Sequence, residues 1–380
     1  MTDAVIVAAR RSATGKRNGA LSGIHPADLA STVLADLVAT TGIDPAVIDD
    51  VVFGCVSQAF EQTGDIARTA ALGAGFPEDV TGVTIDRQCG SSQQALHFAA
   101  ATVASGQADV VIAGGVESMS RVPMGSTSQG KSPYGQAFKS RYPGDNPNQG
   151  IGAEMICDRW GFDRTQLDEF SLRSHALAAE ATDKGEFTDQ IVPVQTESGA
   201  VTVDEGIRRG GTLESLGKLN TVFREDGRIT AGNASQISDG SAAMLVMTSA
   251  KAKELGLTPL VRVHTAVLAG DDPRIMLTAP IPATAKALKR SGLSVNDIGT
   301  FEVNEAFAPV PLAWLKETGA DIERLNPQGG AIALGHPLGG SGARLMTTMI
   351  YRMVNQNIRY GLQTMCEGGG QANATILELV

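Results

Sequence analysis

The first apolar run of the chain, Ala4-Val5-Ile6-Val7-Ala8-Ala9, is continuous and ends in Arg10-Arg11, which predicts a buried opening strand. The run is too short for a secretory leader, and its basic residues follow rather than precede it. No other apolar stretch approaches the length that spans a bilayer. Short continuous runs recur at Asp109-Val110-Val111-Ile112-Ala113 and around 362–366. Each is preceded by a helical pattern, Ala-rich after Cys89 and over 339–354 in the second case, and each leads into glycines. A further amphipathic helix is predicted near 165–183 and short strands around 191–203. Residues 125–150, rich in Gly, Pro, Ser and Asn, follow neither period and read as loop.

These elements repeat. Residues 42–55, GIDPAVIDDVVFGC, align without a gap on residues 292–305, GLSVNDIGTFEVNE, at an offset of 250. Both pass from a polar helical turn into a strand at about Asp50 or Thr300. Downstream, Gly114-Gly115 and Gly368-Gly369-Gly370 close the corresponding strands. The chain reads as two copies of one α/β unit, with an insertion from about 119 to 235 between them. An insertion that carries its own helix and strands is expected to cover a substrate.

Composition narrows the chemistry. Of 380 residues, 42% are apolar and 19% charged, an ordinary globular balance that can build a large core. Glycine is plentiful at 44 and aromatics are scarce at 4%, which suits helices packed closely on a parallel sheet. The net charge of −10 argues against nucleic acid as the main partner but allows a small anion bound by a local basic cluster. Four cysteines, at 55, 89, 157 and 366, are too scattered for a disulfide framework, and neither they nor the five histidines form a zinc pattern. No metal is expected, and a reducing cytoplasm fits best; the final Glu378-Leu379-Val380 is not a peroxisomal signal.

Four segments carry candidate chemistry. In Asp86-Arg87-Gln88-Cys89-Gly90-Ser91-Ser92-Gln93, Cys89 lies where a strand ends and a helix begins, facing unpaired N–H groups and the positive end of a helix dipole, a setting that favours thiolate. Cys55 and Cys157 lack it and read as structural. The glycine-rich span Asn326–Gly342 holds His336, a candidate base; its glycines imply a backbone bent sharply around something, and it lacks the Gly-Lys-Ser/Thr of a P-loop. Cys366-Glu367-Gly368-Gly369-Gly370 places a second thiol before a glycine nest able to hold an oxyanion. In Glu302-Val303-Asn304-Glu305-Ala306-Phe307, Asn304 is placed either to cap the next helix or, by the repeat, at a strand end where α/β sites gather.

Together, DRQCGSSQQA, VNEAFA, GGAIALGHPLGGSGAR and CEGGG resemble the thiolase family in order and spacing. VAARRSATGKRNGAL is similar to the family's N-terminus and SQISDGSAA to its pantetheine loop, so the resemblance covers essentially the whole chain. It implies a thiolase-like α/β fold, two pseudo-symmetric α/β/α halves in five layers (αβαβα) with an inserted loop domain. The expected divisions are 1–118 plus about 236–258, 119–235, and 259–380. It also implies an acyltransferase that works through an acyl-Cys89 intermediate, with CoA and acyl-CoA as substrates and no permanently bound cofactor. In that scheme His336 accepts the Cys89 proton and then helps bind the thioester oxygen, with Asn304 supporting that hole through a water. The N–H groups of Cys89 and Gly368 form a second oxyanion hole, and Cys366 is the acid/base at the carbon that becomes the enolate. For CoA, the resemblance points to Arg208 and Ser215 in IRRGGTLESLGKL, where Arg209 and Lys218 add charge, and to Ser235. A homodimer or homotetramer is expected by family analogy.

The chain departs from the biosynthetic short-chain thiolases. Their covering loop has a His-Met pair, which is missing from Pro147-Asn148-Gln149-Gly150-Ile151-Gly152-Ala153-Glu154. Gln88 precedes the nucleophile in place of an apolar residue, and Ser92-Gln93 replaces Gly-Leu. These features look more like degradative thiolases of lipid and steroid side-chain breakdown. An acetoacetyl-CoA-forming thiolase or a ketosynthase-type enzyme is the second reading, although Cys366 before three glycines favours thiolase. A non-catalytic acyl-CoA-binding protein on the same fold is the third.

Overall fold

The computed structural model describes residues 3–143 and 147–380; residues 144–146 of the expected loop lie outside the described residues. The first unit runs β1 (Val5–Ser12), β2 (Gly15–Lys16), α1 (Pro26–Thr41), β3 (Asp50–Gly54), α2 (Ile66–Gly73), β4 (Thr81–Ile85), α3 (Ser91–Ser105) and β5 (Val110–Ser118). The insertion holds α4 (Gln136–Arg141), α5 (Gln149–Trp160), α6 (Arg164–Asp183), β6 (Ile191–Val192), β7 (Val194–Thr196), β8 (Gly199–Val201) and α7 (Leu213–Gly217). β9 (Ser238–Met247) and α8 (Ser249–Glu254) follow. The second unit runs β10 (Val261–Gly270), α9 (Pro280–Ser291), β11 (Thr300–Val303), α10 (Pro309–Thr318), α11 (Ala331–Leu334), α12 (Leu338–Gln356), β12 (Tyr360–Glu367) and β13 (Gln371–Leu379).

The two units share one topology. Strand order is β4-β3-β5-β9-β1 in the first and β11-β12-β13-β10 in the second, and a short antiparallel pairing of β1 with β10 joins them. Within each unit the inner strands are parallel and the last is antiparallel: β3 with β5 and β5 with β9, then β11 with β12 and β12 with β13. Leu325 bridges Phe301 in parallel, which leaves a vestige of β4 in the second unit. The register repeats at the offset seen in the sequence, since Asp50 pairs with Val111 and Thr300 with Gly361.

Alternation along the strands builds the layers. In β3, Val51 and Phe53 face a core with Leu29, Val33 and Leu37 of α1, whereas Val52 faces a second core with Leu96 of α3 and Met346 and Met349 of α12. In β11, Phe301 and Val303 pack outward on Trp314 of α10 and Ala283 of α9. Helices α3 and α12 therefore lie between the two sheet halves, with α1 and α2 outside one and α9 and α10 outside the other, giving the five-layer αβαβα arrangement. Among the described residues, no helix is long and apolar enough to cross a membrane.

Close packing, not a bend, accounts for most glycines of the 326–342 span. A Cβ on Gly339 would sit 2.6 Å from Cys55 Cα and 2.7 Å from Gly54 O, so the start of α12 presses directly on the end of β3. Gly335 is different. Its φ of +88° lies in the left-handed half of the map, and it turns the chain between α11 and His336. The departure at Ser92-Gln93 also has a structural role: Ser92 Oγ accepts from Ala343 N–H at 2.8 Å, and Gln93 Nε2 donates to Thr375 Oγ1 at 2.7 Å and Gln363 O at 3.1 Å. These side chains make a buried polar seam between α3 and the second sheet half.

Candidate active site

Cys89 sits in the turn between β4 and α3. Gln88 before it has a φ of +49°, unusual for a residue with a side chain, and the turn is braced on both sides. Asp86 Oδ1 accepts from Gln88 N–H at 2.6 Å, and Ser91 Oγ donates to Gln88 O at 2.6 Å while accepting from Arg87 N–H at 2.9 Å. The Cys89 thiol is buried in a pocket walled by Met119, Leu338, Leu345 and Met365, with Val56 and Ile237 at its margin.

Burial outweighs the helix-dipole effect expected at this position. It pushes the Cys89 thiol well above its ordinary range, and the nearby Cys366 thiol and Glu367 carboxyl add to the push. At rest Cys89 is therefore a thiol rather than a preformed thiolate.

Asn304 follows the end of β11 and does not cap a helix, since α10 begins at Pro309 with Ala308 at its N-cap. Its amide nitrogen instead lies 3.5 Å from His336 Nε2 and 3.7 Å from Cys366 Sγ. The Asn304 backbone N–H is anchored on Thr364 O at 3.1 Å, which holds the end of β11 beside β12. Three candidate residues from three segments thus converge on one buried point.

The neighbours of His336 fix its tautomer. Ser341 Oγ donates to Pro337 O at 2.8 Å, so at 2.6 Å from His336 Nδ1 it accepts, and Nδ1 carries the proton. Nε2 then presents its lone pair toward Asn304. Burial, reinforced by the Arg344 guanidinium, lowers His336 to about 3, so the ring is neutral across the physiological range. Cys366 is pushed up to about 11 by burial, against the hydrogen bond from Asn304, and so holds its proton at neutral pH.

A groove of about 680 Å³ opens beside this centre, lined by Lys16, Arg17, Glu205, Arg208, Ser235 and Gln236 among others. Its floor is tied to the site: His336 N–H donates to Gln236 O at 3.3 Å and Ser235 N–H to Ala306 O at 2.9 Å. Of the residues expected to meet CoA, Arg208 and Ser235 line this groove. Ser215 lies on α7, where it forms a capping box with Thr212. Arg209 pairs with Asp183, and Lys218 with Glu214, both at exposed positions, so the three cations of that stretch do not converge. Lys16 and Arg17 went unread in the sequence, because their chemistry appears only when the β2 turn folds against the insertion. Ser341, five residues from His336, went unread for the same kind of reason. Among the described residues no cluster of metal ligands occurs.

Residues 4–250 match the thiolase N-terminal domain and residues 257–379 the thiolase C-terminal domain. The chain is 49% identical to the steroid 3-ketoacyl-CoA thiolase FadA6 of Mycobacterium tuberculosis, covering 100% of this chain and 94% of that protein. It is 44% identical to a 3-ketoacyl-CoA thiolase of Idiomarina loihiensis, with 100% of both covered. In solved structures, it matches the crystal structure of the Bacillus anthracis acetyl-CoA acetyltransferase with a TM-score of 0.92 and 38% identity, over 100% of this chain and 99% of that one.

Proposed function

The chain belongs to the thiolase family, and from that premise we propose that it is a degradative 3-ketoacyl-CoA thiolase, cleaving its substrate with free CoA to acetyl-CoA and a shortened acyl-CoA. The observation that carries the reading is the convergence of the Asn304 amide on His336 Nε2 and Cys366 Sγ.

In the first half-reaction Cys89 Sγ attacks the 3-keto carbon and its proton passes to His336 Nε2. The bond between carbons 2 and 3 breaks, and its electron pair becomes the enolate of acetyl-CoA. Protonated His336, with Asn304 acting through a water, stabilises that enolate oxygen, and the Cys366 thiol protonates carbon 2. The N–H groups of Cys89 and Gly368 hold the oxygen of the acyl group left on Cys89. In the second half-reaction the Cys366 thiolate takes the proton of the CoA thiol. CoA sulfur captures the acyl group, and Cys89 recovers its proton from His336, which returns both residues to their starting state.

Arg208 and Ser235, with Lys16 and Arg17, are assigned to CoA, the cations to its phosphates, and Ser215 on α7 is assigned with them. The degradative assignment is supported by the 3-ketoacyl-CoA thiolase relatives and by the absence of a His-Met pair from the covering segment 147–154. The functional divisions we assign are 1–118 with about 236–258, the covering insertion 119–235, and 259–380. A homodimer or homotetramer follows by family analogy, and a reducing cytoplasm suits four cysteines that are all free thiols.

Incubation with a panel of short, long and steroid-like 3-ketoacyl-CoAs tests the reading. The expected result is an acyl mass on the Cys89 peptide and thiolysis strongest on one acyl class. Folded protein whose Cys89 stays unmodified by every member would sink the mechanism.

A further inference from the structure

Two buried carboxyl groups occupy the same place in the two units. The offset that carries Val111 onto Gly361 in the strand pairing also carries Glu117 onto Glu367. It carries Cys89 onto Gly339 as well, and the local turn is shared: Gly90 N–H donates to Arg87 O at 3.1 Å and Gly340 N–H to Pro337 O at 3.0 Å. Each carboxyl faces the helix start of the opposite unit, but the two are satisfied differently. Glu117 accepts from Val56 N–H at 2.9 Å, Ser57 N–H at 3.0 Å, Gln62 Nε2 at 2.7 Å and Gly339 N–H at 2.8 Å. Glu367 lies so close to Gly90 that a Cβ there would overlap its Oε1, yet neither oxygen has a partner at full hydrogen-bond geometry, and the Asn373 backbone N–H of its own hairpin exerts only a weak pull. The counterpart of the amide taken by Glu117 is that of Cys89, and Glu367 does not take it.

A buried carboxylate so poorly supplied with donors is strongly disfavoured, so such a group keeps its proton. Burial pushes Glu367 up to about 8, against the pull of the Arg87 guanidinium and of the Asn373 backbone N–H. The charged or titratable groups facing it are Asp86, Arg87 and Cys89 from the turn and Cys366 from its own strand, whereas β13 offers Gln371 and Asn373. Arg87 donates to Gln371 Oε1 at 2.9 Å and makes no ion pair with Glu367. Below about pH 8, then, Glu367 is uncharged and does not oppose an anion on Cys89. Above it, the new charge lies near enough to disfavour that anion, since Glu367 is among the groups that raise the Cys89 thiol.

We propose that Glu367 is a positioning residue for Cys89: packed against Gly90, it leaves the Cys89 amide untaken for the substrate oxygen and sets by its own charge how readily the nucleophile ionises. Its use in turnover rests on the Cys89 chemistry proposed above. The twin comparison explains why an acidic side chain can stand beside a nucleophile at all. In the first unit it is an anchor for a helix start, and in the second the anchor is withheld.

The test is the pH profile of Cys89 alkylation by iodoacetamide in substrate-free protein, read on the Cys89 peptide between about pH 6 and 10. Wild-type reactivity is expected to rise with pH and then lag above about pH 8 as Glu367 ionises. Glu367→Gln should remove the lag and move the midpoint down on the order of one unit, the effect of losing a like-charged neighbour. Glu367→Leu, neutral and apolar, should reproduce the shift and guards against a defect peculiar to the amide. Superposed profiles in folded wild type and variants would overturn the proposal even if acylation from 3-ketoacyl-CoA is normal. Failure of that acylation in wild type would instead strike the thiolase reading, because alkylation needs no acyl-CoA.

Discussion

At the scale of single residues, the site is assembled from groups that are neutral at rest. Cys89 and Cys366 are held as thiols by burial, and His336 is held as free imidazole by burial and Arg344. Charge therefore appears only as bonds change, where a dry pocket makes each donor count most. In the proposed mechanism Cys89 and Cys366 have separable tasks, one accepting the acyl group and the other moving protons at carbon 2 and at the CoA thiol. Cys366→Ala should still take an acyl group on Cys89, while exchange of the acetyl-CoA methyl protons with deuterium oxide falls by about a hundredfold or more, the usual weight of a general acid/base. Mass spectrometry of the acyl-enzyme and NMR of the acetyl methyl read the two steps independently. Retained exchange in the variant would take Cys366 out of its role. The four candidate residues were legible in the sequence, because Cys89, Asn304, His336 and Cys366 each stand in a distinctive short motif, and the fold brings Asn304, His336 and Cys366 together. The His336 tautomer was not, since it depends on Ser341 passing its own proton to Pro337 O, a relation that exists only once the turn is closed.

At the scale of elements, the periodicities translated well. The continuous runs at 4–9, 109–113 and 362–366 became parts of β1, β5 and β12, and the pattern near 165–183 became α6. Two features did not translate, for one reason: glycine and glutamine say little until their neighbours are known. The glycines of the 326–342 span imply in the sequence a backbone bent around something, yet Gly339 is there so that α12 can touch the backbone of β3. Gln93 reads in the sequence as a departure from the biosynthetic thiolase pattern and is a strut to Thr375 and Gln363. Gly339→Ala tests the packing account. A methyl group 2.6 Å from Cys55 Cα has no flexible side chain to push aside, so the variant should lose about 1–3 kcal/mol, the usual penalty of overpacking. Gly23→Ala, with nothing within 4 Å of its new Cβ, should stay within about 0.5 kcal/mol of wild type. Denaturant midpoints for the pair check this, and equal midpoints would return Gly339 to the status of a simple turn residue.

At the scale of the whole molecule, two copies of one unit meet face to face, and the chemistry lies where the pseudo-dyad relation breaks. Gly54 and Asn304 are equivalent by position, as are Val116 and Cys366, but the second unit puts an amide and a thiol at these places, and they converge toward the pocket of Cys89, on the first. The doubling was visible at an offset of 250 because both copies keep the same turn-to-strand spacing. The groove beside the site was visible only in part, because it joins the β2 turn to the inserted segment, residues far apart in the chain. Occupation of that groove by CoA would let a chain of net charge −10 hold a polyanion: Lys16, Arg17 and Arg208 gather around it with Glu205, whose Oε2 accepts from the Lys16 and Ala20 N–H groups. If these cations meet the phosphates of CoA, their loss must weaken binding of the nucleotide end without touching the thiol end. Replacing Arg17 and Arg208 together by Gln should raise KM for CoA about tenfold, the effect of losing about one charge-assisted hydrogen bond. kcat should stay within about twofold, and pantetheine, which lacks those phosphates, should react in the variant as it does in wild type. Steady-state thiolysis with the two thiols, at low and at high salt, separates the cases. An equal loss for both thiols would mean that the arginines shape the groove rather than bind phosphate, and the anion would then have to be held elsewhere on this acidic surface.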